Sequence, residues 1–212
     1  MRLQRTSLFH LYYAPYSNKD SQGEATSILT QGATAPTEIS VVGYQLRQSN
    51  LTTKDPVDPD YVALLGERQS RGVEVAFDTR LTDEISAKLS GTRVDPEIVE
   101  DNNGRKGNRP ASAPRYMCSL RIDYRPKGLA GFTFSAFAIK RSSMWGDDDN
   151  SFTVPGYTRY DLGLGYKHDF WEARLNIANL TDERYVVASN GDDDVYQGDR
   201  RQIWVKLIVE RQ

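Results

Sequence analysis

The stretch YTRYDLGLGYKHDFWEARLNIA, residues 157–178, decides the fold. Tyr160, Leu162, Leu164 and Tyr166 alternate with Asp161, Gly163, Gly165 and Lys167. After a short link at Lys167–Phe170, Trp171, Ala173, Leu175 and Ile177 alternate with Glu172, Arg174 and Asn176. Successive side chains of a β-strand point to opposite faces, so this pattern predicts two strands, each with one apolar and one polar face, joined by a tight turn. The pattern spreads outward from there. Val73, Val75 and Phe77 alternate with Glu74 and Asp78, and Leu120, Ile122 and Tyr124 with Ser119, Arg121 and Asp123. Ile203, Val205, Leu207 and Val209 alternate with Trp204, Lys206, Ile208 and Glu210. The strand from Phe132 to Ile139 is less clean, because Phe137 and Ile139 fall on its polar side.

The connections alternate in length. Short links fall at Arg80–Glu84, Pro126–Leu129 and Lys167–Phe170, and long polar links near Thr52–Gln69, Pro96–Pro114, Ser142–Gly156 and Asp182–Gly198. Short turns on one side and long loops on the other describe a transmembrane barrel of the outer-membrane type. A soluble sandwich has no reason to segregate loop length by side. Lipid does not accept Glu74, Asp78, Arg121, Asp123, Asp161, Glu172 and Arg174, so that face is expected to line a lumen. Tyr124, Tyr157, Tyr166, Trp171 and Tyr185 sit at strand ends, where an aromatic girdle would stand. The competing expectation is a soluble β-sandwich with one wet face.

Composition agrees once this pattern is known. The 212 residues carry 27 basic and 29 acidic side chains, a net charge of −2, which argues against a nucleic-acid binder. Mean hydropathy is −0.62 and no apolar run reaches about 18 residues, so no transmembrane helix is expected. A barrel strand is apolar only at alternate positions, and its average therefore resembles that of a soluble protein. One cysteine, Cys118, and two distant histidines, His10 and His168, supply neither a disulfide framework nor a metal site. Met1–Asn18 lacks the pattern of a secretory signal, and Asn18–Thr37 reads as loop, disorder or poorly specified strand. Residues 1–40 are thus a poorly specified segment and 41–212 the β portion.

Four segments carry a family resemblance: Gly66-Glu67-Arg68-Gln69-Ser70-Arg71-Gly72-Val73-Glu74, then Gly107-Asn108-Arg109-Pro110-Ala111 with Ala113-Pro114-Arg115, then Gly146–Tyr157, then Leu175–Tyr185. In this order and spacing the chain, from about Val41 to Arg211, resembles the C-terminal part of TonB-dependent outer-membrane siderophore receptors, nearest the ferrichrome and hydroxamate type. The resemblance implies an all-β fold, about eight antiparallel up-and-down strands of a 22-stranded transmembrane barrel, with short periplasmic turns and long extracellular loops. It implies the outer membrane of a Gram-negative bacterium, surrounded by outer-membrane lipid. It also implies a ferric siderophore as ligand, with iron carried inside the chelate and no cofactor or protein-bound metal. A family receptor reaches the TonB complex through an N-terminal plug. No plug or TonB box is visible, and Arg211-Gln212 stands where the family usually ends in an aromatic, so the chain reads as a C-terminal fragment not transport-competent alone.

By position, the candidate ligand contacts are Trp145 and Tyr196 in two long loops, with Arg109 and Arg115 flanking a third and facing an anionic chelate. The acidic runs Asp147–Asp149 and Asp192–Asp194 suit a hard cation or, more simply, solvated loop tips. Asn179 with Asp182 is suited to satisfying backbone donors where a strand leaves the sheet. Pro155-Gly156 fixes a bend. Two other functions compete: a small autonomous β-barrel or β-sheet binding protein using its long loops, and an outer-membrane hydrolase, for which the sequence offers no nucleophile–base pair.

Overall fold

The computed structural model describes residues 22–34, 37–58 and 60–209. Met1–Asn18, His10 and Arg211-Gln212 lie outside the described residues. Among the described residues thirteen strands occur in chain order: β1 (Gln22–Thr34), β2 (Thr37–Lys54), β3 (Val62–Arg80), β4 (Ile85–Glu100), β5 (Tyr116–Tyr124), β6 (Phe132–Arg141), β7 (Met144–Trp145), β8 (Thr153–Val154), β9 (Tyr157–His168), β10 (Trp171–Ala178), β11 (Val186–Ser189), β12 (Val195–Gln197) and β13 (Gln202–Val209). Nine of them form one antiparallel up-and-down sheet in the order β1-β2-β3-β4-β5-β6-β9-β10-β13. The short pairs β7-β8 and β11-β12 stand apart from it, inside two of the loops. No helix of the described residues is long and apolar enough to cross a membrane.

Two sequence expectations change here. Gln22–Thr34, in the stretch read as loop, disorder or poorly specified strand, runs as β1 along β2 from Gln22↔Ser49 to Thr34↔Thr37. The links Thr52–Gln69 and Pro96–Pro114 are shorter than expected, because β2 continues to Lys54, β3 begins at Val62 and β4 continues to Glu100. These extensions alternate little in hydropathy, since a sheet standing above the membrane has water on both faces. At about 3.3 Å per residue the 19 residues of β3 run far beyond the ~10 that cross a bilayer.

Register lines the apolar sets into one band. The row Thr79↔Ala87↔Ile122↔Ala136↔Leu162↔Ile177↔Ile203 crosses seven strands without a polar interruption after Thr79. The band is oblique to that row. On β3 its centre, Val75, lies four residues to the long-loop side of Thr79, and on β13 its centre lies three residues to the short-turn side of Ile203. Seven residues at about 3.3 Å, over six strand spacings of about 4.8 Å, give a slope of about 39°. That is the tilt of strands in a membrane barrel, read here from hydropathy and register alone.

The opposite face carries the charges in pairs. Lys88 binds Asp78, Arg121 binds Asp123 at 2.9 Å, Arg159 binds Asp161 at 3.0 Å and Arg174 binds Glu172 at 2.6 Å. Ser135 adds a hydroxyl donor to Asp123. Pairing of this kind is what allows ionised side chains to line an enclosed wall. At the short-turn end the apolar face closes in an aromatic cluster, with Tyr166 against Phe132 at 4.6 Å and against Trp171 at 5.4 Å, and Tyr124 beside Phe134. Tyr157 and Tyr185 are not part of any girdle. They stack on each other at 4.2 Å at the long-loop end, with Tyr185 buried.

Candidate functional site

The buried apolar side chains of the described residues lie in the loops and strand tips of the long-loop end. Ile98, Ala113, Met144, Val154 and Tyr185 form this second core, with Pro110 and the polar Asn179 as fully covered as Met144. The loops are therefore packed bodies on top of the sheet.

The loop 142–156 is the centre of the assembly. Its hairpin β7-β8 folds tightly because Gly146 lies under the Phe152 ring, where a Cβ would collide with the aromatic carbons. Gly156 meets the Arg141 carbonyl just as closely, so the bend after Pro155 requires glycine for close approach. The three aspartates of this loop each have a partner. Asp147 accepts from the Ser151 amide at 2.8 Å and from its hydroxyl. Asp148 accepts from Arg68 on β3 and from the Ala111 amide at 2.8 Å. Asp149 binds Arg105 through two bonds of 2.8 and 2.9 Å. The run ties loop 142–156 to loop 101–115 and to β3, while Asp149 remains exposed to solvent. The Arg105 guanidinium holds the Asp149 carboxyl below its usual range.

Arg109 and Trp145 come together within that assembly. The Arg109 guanidinium lies over the Trp145 ring at 5.5 Å, a cation–π contact. Its backbone is clamped by Asn150, which accepts from the Arg109 amide at 3.0 Å and donates to its carbonyl at 2.6 Å. Partial burial and the nearby positive charge of Arg115 both push the Arg109 pKa down. Arg115 takes a different partner, Asp95 on β4, at 2.6 Å. Tyr196 stands on β12, half exposed, opposite Ala188. The structure thus brings Arg109 and Trp145 into contact, sets Arg115 beside Asp95, and places Tyr196 on the neighbouring loop.

That neighbouring loop, 179–201, is latched at three places. Ser112 donates its hydroxyl to the Ser189 carbonyl at 2.7 Å and accepts from the Ser189 amide at 2.6 Å. The Gly191 amide donates to the Gly146 carbonyl at 2.9 Å. Arg141, stacked over Tyr157 at 4.8 Å, donates to the carbonyls of Val186 and Val187. At the loop's base Asn179 accepts from the Glu183 amide at 2.8 Å and donates to the carbonyls of Glu183 and Asp199. Asp182 holds Arg200 and accepts from the Arg201 amide at 2.9 Å. The pairing of Asn179 with Asp182 at a strand exit was visible in the sequence; the reach of each across the loop was not.

An oblique apolar band, a charge-paired opposite face, short turns at one end and an interlocked loop cluster at the other define a class: the wall of an outer-membrane β-barrel with its extracellular loops. The family follows from comparison. The model of the TonB dependent receptor-like β-barrel matches residues 26–180, and the chain belongs to that family, whose members sit in the outer membrane of Gram-negative bacteria. The ferrioxamine B receptor of Salmonella typhimurium (strain LT2) is 32% identical over 174 residues, which cover 78% of this chain and 24% of that receptor. The ferrichrome outer membrane transporter/phage receptor of Escherichia coli (strain K12) is 31% identical over 177 residues, covering 79% of this chain and 23% of the relative. Among solved structures, the siderophore receptor PiuA from Acinetobacter baumannii superposes with a TM-score of 0.73 at 23% identity, covering 88% of this chain and 28% of that one. The chain spans about a quarter of the length of the relatives it matches.

Proposed function

We propose that this chain is the C-terminal barrel portion of a receptor for ferric siderophore uptake, a binding and transport protein and not an enzyme. The observation that carries this is the loop cluster. Three long loops of the family's barrel are packed into one body, and that body presents a cation stacked on an aromatic ring, Arg109 on Trp145, beside a second arginine. Such a surface suits an anionic, amide-rich chelate, which takes hydrogen bonds from guanidinium groups and apolar contact from an indole. Trp145, Tyr196, Arg109 and Arg115 are the proposed contacts. The iron arrives as cargo within the siderophore, and no protein-bound cofactor is part of the proposal. Residues 41–212 are the proposed barrel portion, the sheet from β1 to β13 serves as its wall, and coupling to the TonB complex belongs to a plug elsewhere in the receptor.

The test is indole fluorescence of the full chain in detergent, titrated with ferric ferrioxamine B and with ferrichrome. Saturable quenching is expected, lost in Trp145→Phe and shifted about tenfold to higher ligand in Arg109→Ala. Quenching that is unchanged in both variants, or absent with both ligands, contradicts the assignment of these residues.

A further inference from the structure

The turn that opens loop 101–115 depends on a glycine. Gly104 is exposed and adopts a φ of 82°, with open space where a Cβ would stand. A left-handed turn position takes glycine without steric cost. The residue before it is Asn103. The turn therefore sets an asparagine side chain beside an amide nitrogen that no Cβ shields.

The chain holds two Asn-Gly pairs, Asn103-Gly104 and Asn190-Gly191. The fold treats them differently. The Gly191 amide donates to the Gly146 carbonyl at 2.9 Å. The Gly104 amide has no acceptor among the described residues. A nitrogen engaged in a hydrogen bond reacts only from a locally opened state, and Gly104 has no such bond to open.

Asn103 also holds the turn in place. Asp101 accepts from Thr53 Oγ1 at 2.8 Å and from Asn103 Nδ2 at 3.0 Å on one oxygen. Its other oxygen accepts from the amides of Asn103 at 2.9 Å and Arg105 at 3.1 Å. Thr53, near the end of β2 and 2% exposed, accepts from the Asn102 amide at 2.8 Å and from Asn103 Nδ2 at 3.4 Å. Asn103 thus helps tie loop 101–115 to β2.

We propose that Asn103 is a site of spontaneous modification, and that its conversion uncouples loop 101–115 from β2. The Gly104 nitrogen attacks Cγ of Asn103. A nitrogen–carbon bond forms, the Cγ–Nδ2 bond breaks, and ammonia leaves with the Gly104 amide hydrogen. Water then opens the succinimide ring at either carbonyl, giving aspartate or isoaspartate. The sum is one NH2 exchanged for OH. Aspartate sets a second carboxylate against Asp101 and removes the donors to Asp101 and Thr53, so attraction becomes like-charge repulsion. Isoaspartate adds a methylene to the main chain just ahead of Arg105, whose guanidinium holds Asp149. Either product therefore reaches loop 142–156 through Arg105.

The full chain, folded in detergent micelles, is kept at mildly alkaline pH and sampled over days. Mass spectrometry of the tryptic peptides Val94–Arg105 and Tyr185–Arg200 reads both pairs in one sample. In the folded chain Asn103 is expected to convert about tenfold faster than Asn190, whose neighbour must first give up its bond to Gly146. In urea the two are expected to convert at the same rate. Asn103→Asp is expected to speed tryptic cleavage after Arg105 in the folded chain by about tenfold. Asn103→Gln, which adds no charge, is expected to abolish conversion at this position and to cleave more slowly than Asn103→Asp. Conversion at Asn103 no faster than at Asn190 in the folded chain overturns the site, as does a difference that persists in urea. Cleavage of Asn103→Asp no faster than that of Asn103→Gln overturns the uncoupling.

Discussion

Asn179 shows how much of the extracellular end rests on single polar residues. It is 1% exposed and adopts a left-handed backbone, with φ of 51°. One side chain closes loop 179–201 by binding Glu183 at both backbone atoms and Asp199 at its carbonyl. Its own amide donates to Asp161, so the loop base is also fixed to the charge-paired wall of β9. Asn179→Ala leaves those backbone groups buried without partners, at about 1–3 kcal/mol for each unsatisfied group. Tryptic cleavage at Arg184 and Arg200 is expected to accelerate by about tenfold or more, since cleavage tracks the open population. Cleavage at the unaltered rate would mean that the latches at Ser189 and Arg141 hold the loop without it. At this scale the sequence was informative where chemistry is local. A side-chain amide at a strand exit has few other uses, and Asn179 with Asp182 could be read as such. Partners distant in sequence were invisible: Asp148 meets Arg68 and Asp149 meets Arg105 across loops, so a run of three aspartates read as solvated or cation-binding. Tyr157 and Tyr185 misled for the same reason. An aromatic at a strand end belongs to a girdle only if its side chain faces outward, and here the two rings pack against each other.

The strands divide into a part that was legible and a part that was not. Where one face meets lipid and the other a lumen, hydropathy alternates residue by residue, and Val73–Asp78, Leu120–Tyr124, Tyr160–Lys167 and Trp171–Ile177 follow it closely. Above the membrane both faces meet water, the alternation ends, and β2, β3 and β4 continue without a hydropathy signal. β1 lies in a stretch of Ser, Thr, Gly, Ala and Gln that carries none either. The face assignment makes a sharp prediction for β3. Val75 is 44% exposed on the apolar side, and Glu74 is half-buried on the other. Val75→Lys is expected to cost about 2–4 kcal/mol, the penalty for a cation facing hydrocarbon near the midplane. Glu74→Gln removes a charge without moving one into lipid and is expected to cost under about 1 kcal/mol. Urea unfolding from lipid vesicles measures both, and equal shifts would contradict the assignment.

For the molecule as a whole, the low mean hydropathy and near-neutral charge have a structural origin. Charges are paired along one face and across the loops, while the sheet's apolar side chains gather mainly in one oblique band and those of the loops in a second core at the long-loop end. The slope of that band, about 39° against the hydrogen-bonding rows, ties the sequence pattern to a tilted barrel strand. The central claim is that this band meets lipid. It is tested most directly by placing a spin label, in a Cys118→Ser background, at each position from Val73 to Asp78 in bilayers. The account predicts that labels at Val73, Val75 and Phe77 collide with oxygen dissolved in the hydrocarbon, and labels at Glu74, Ala76 and Asp78 with a water-soluble nickel chelate. Accessibility without a period of two, or with nickel favoured at Val73, Val75 and Phe77, would contradict it.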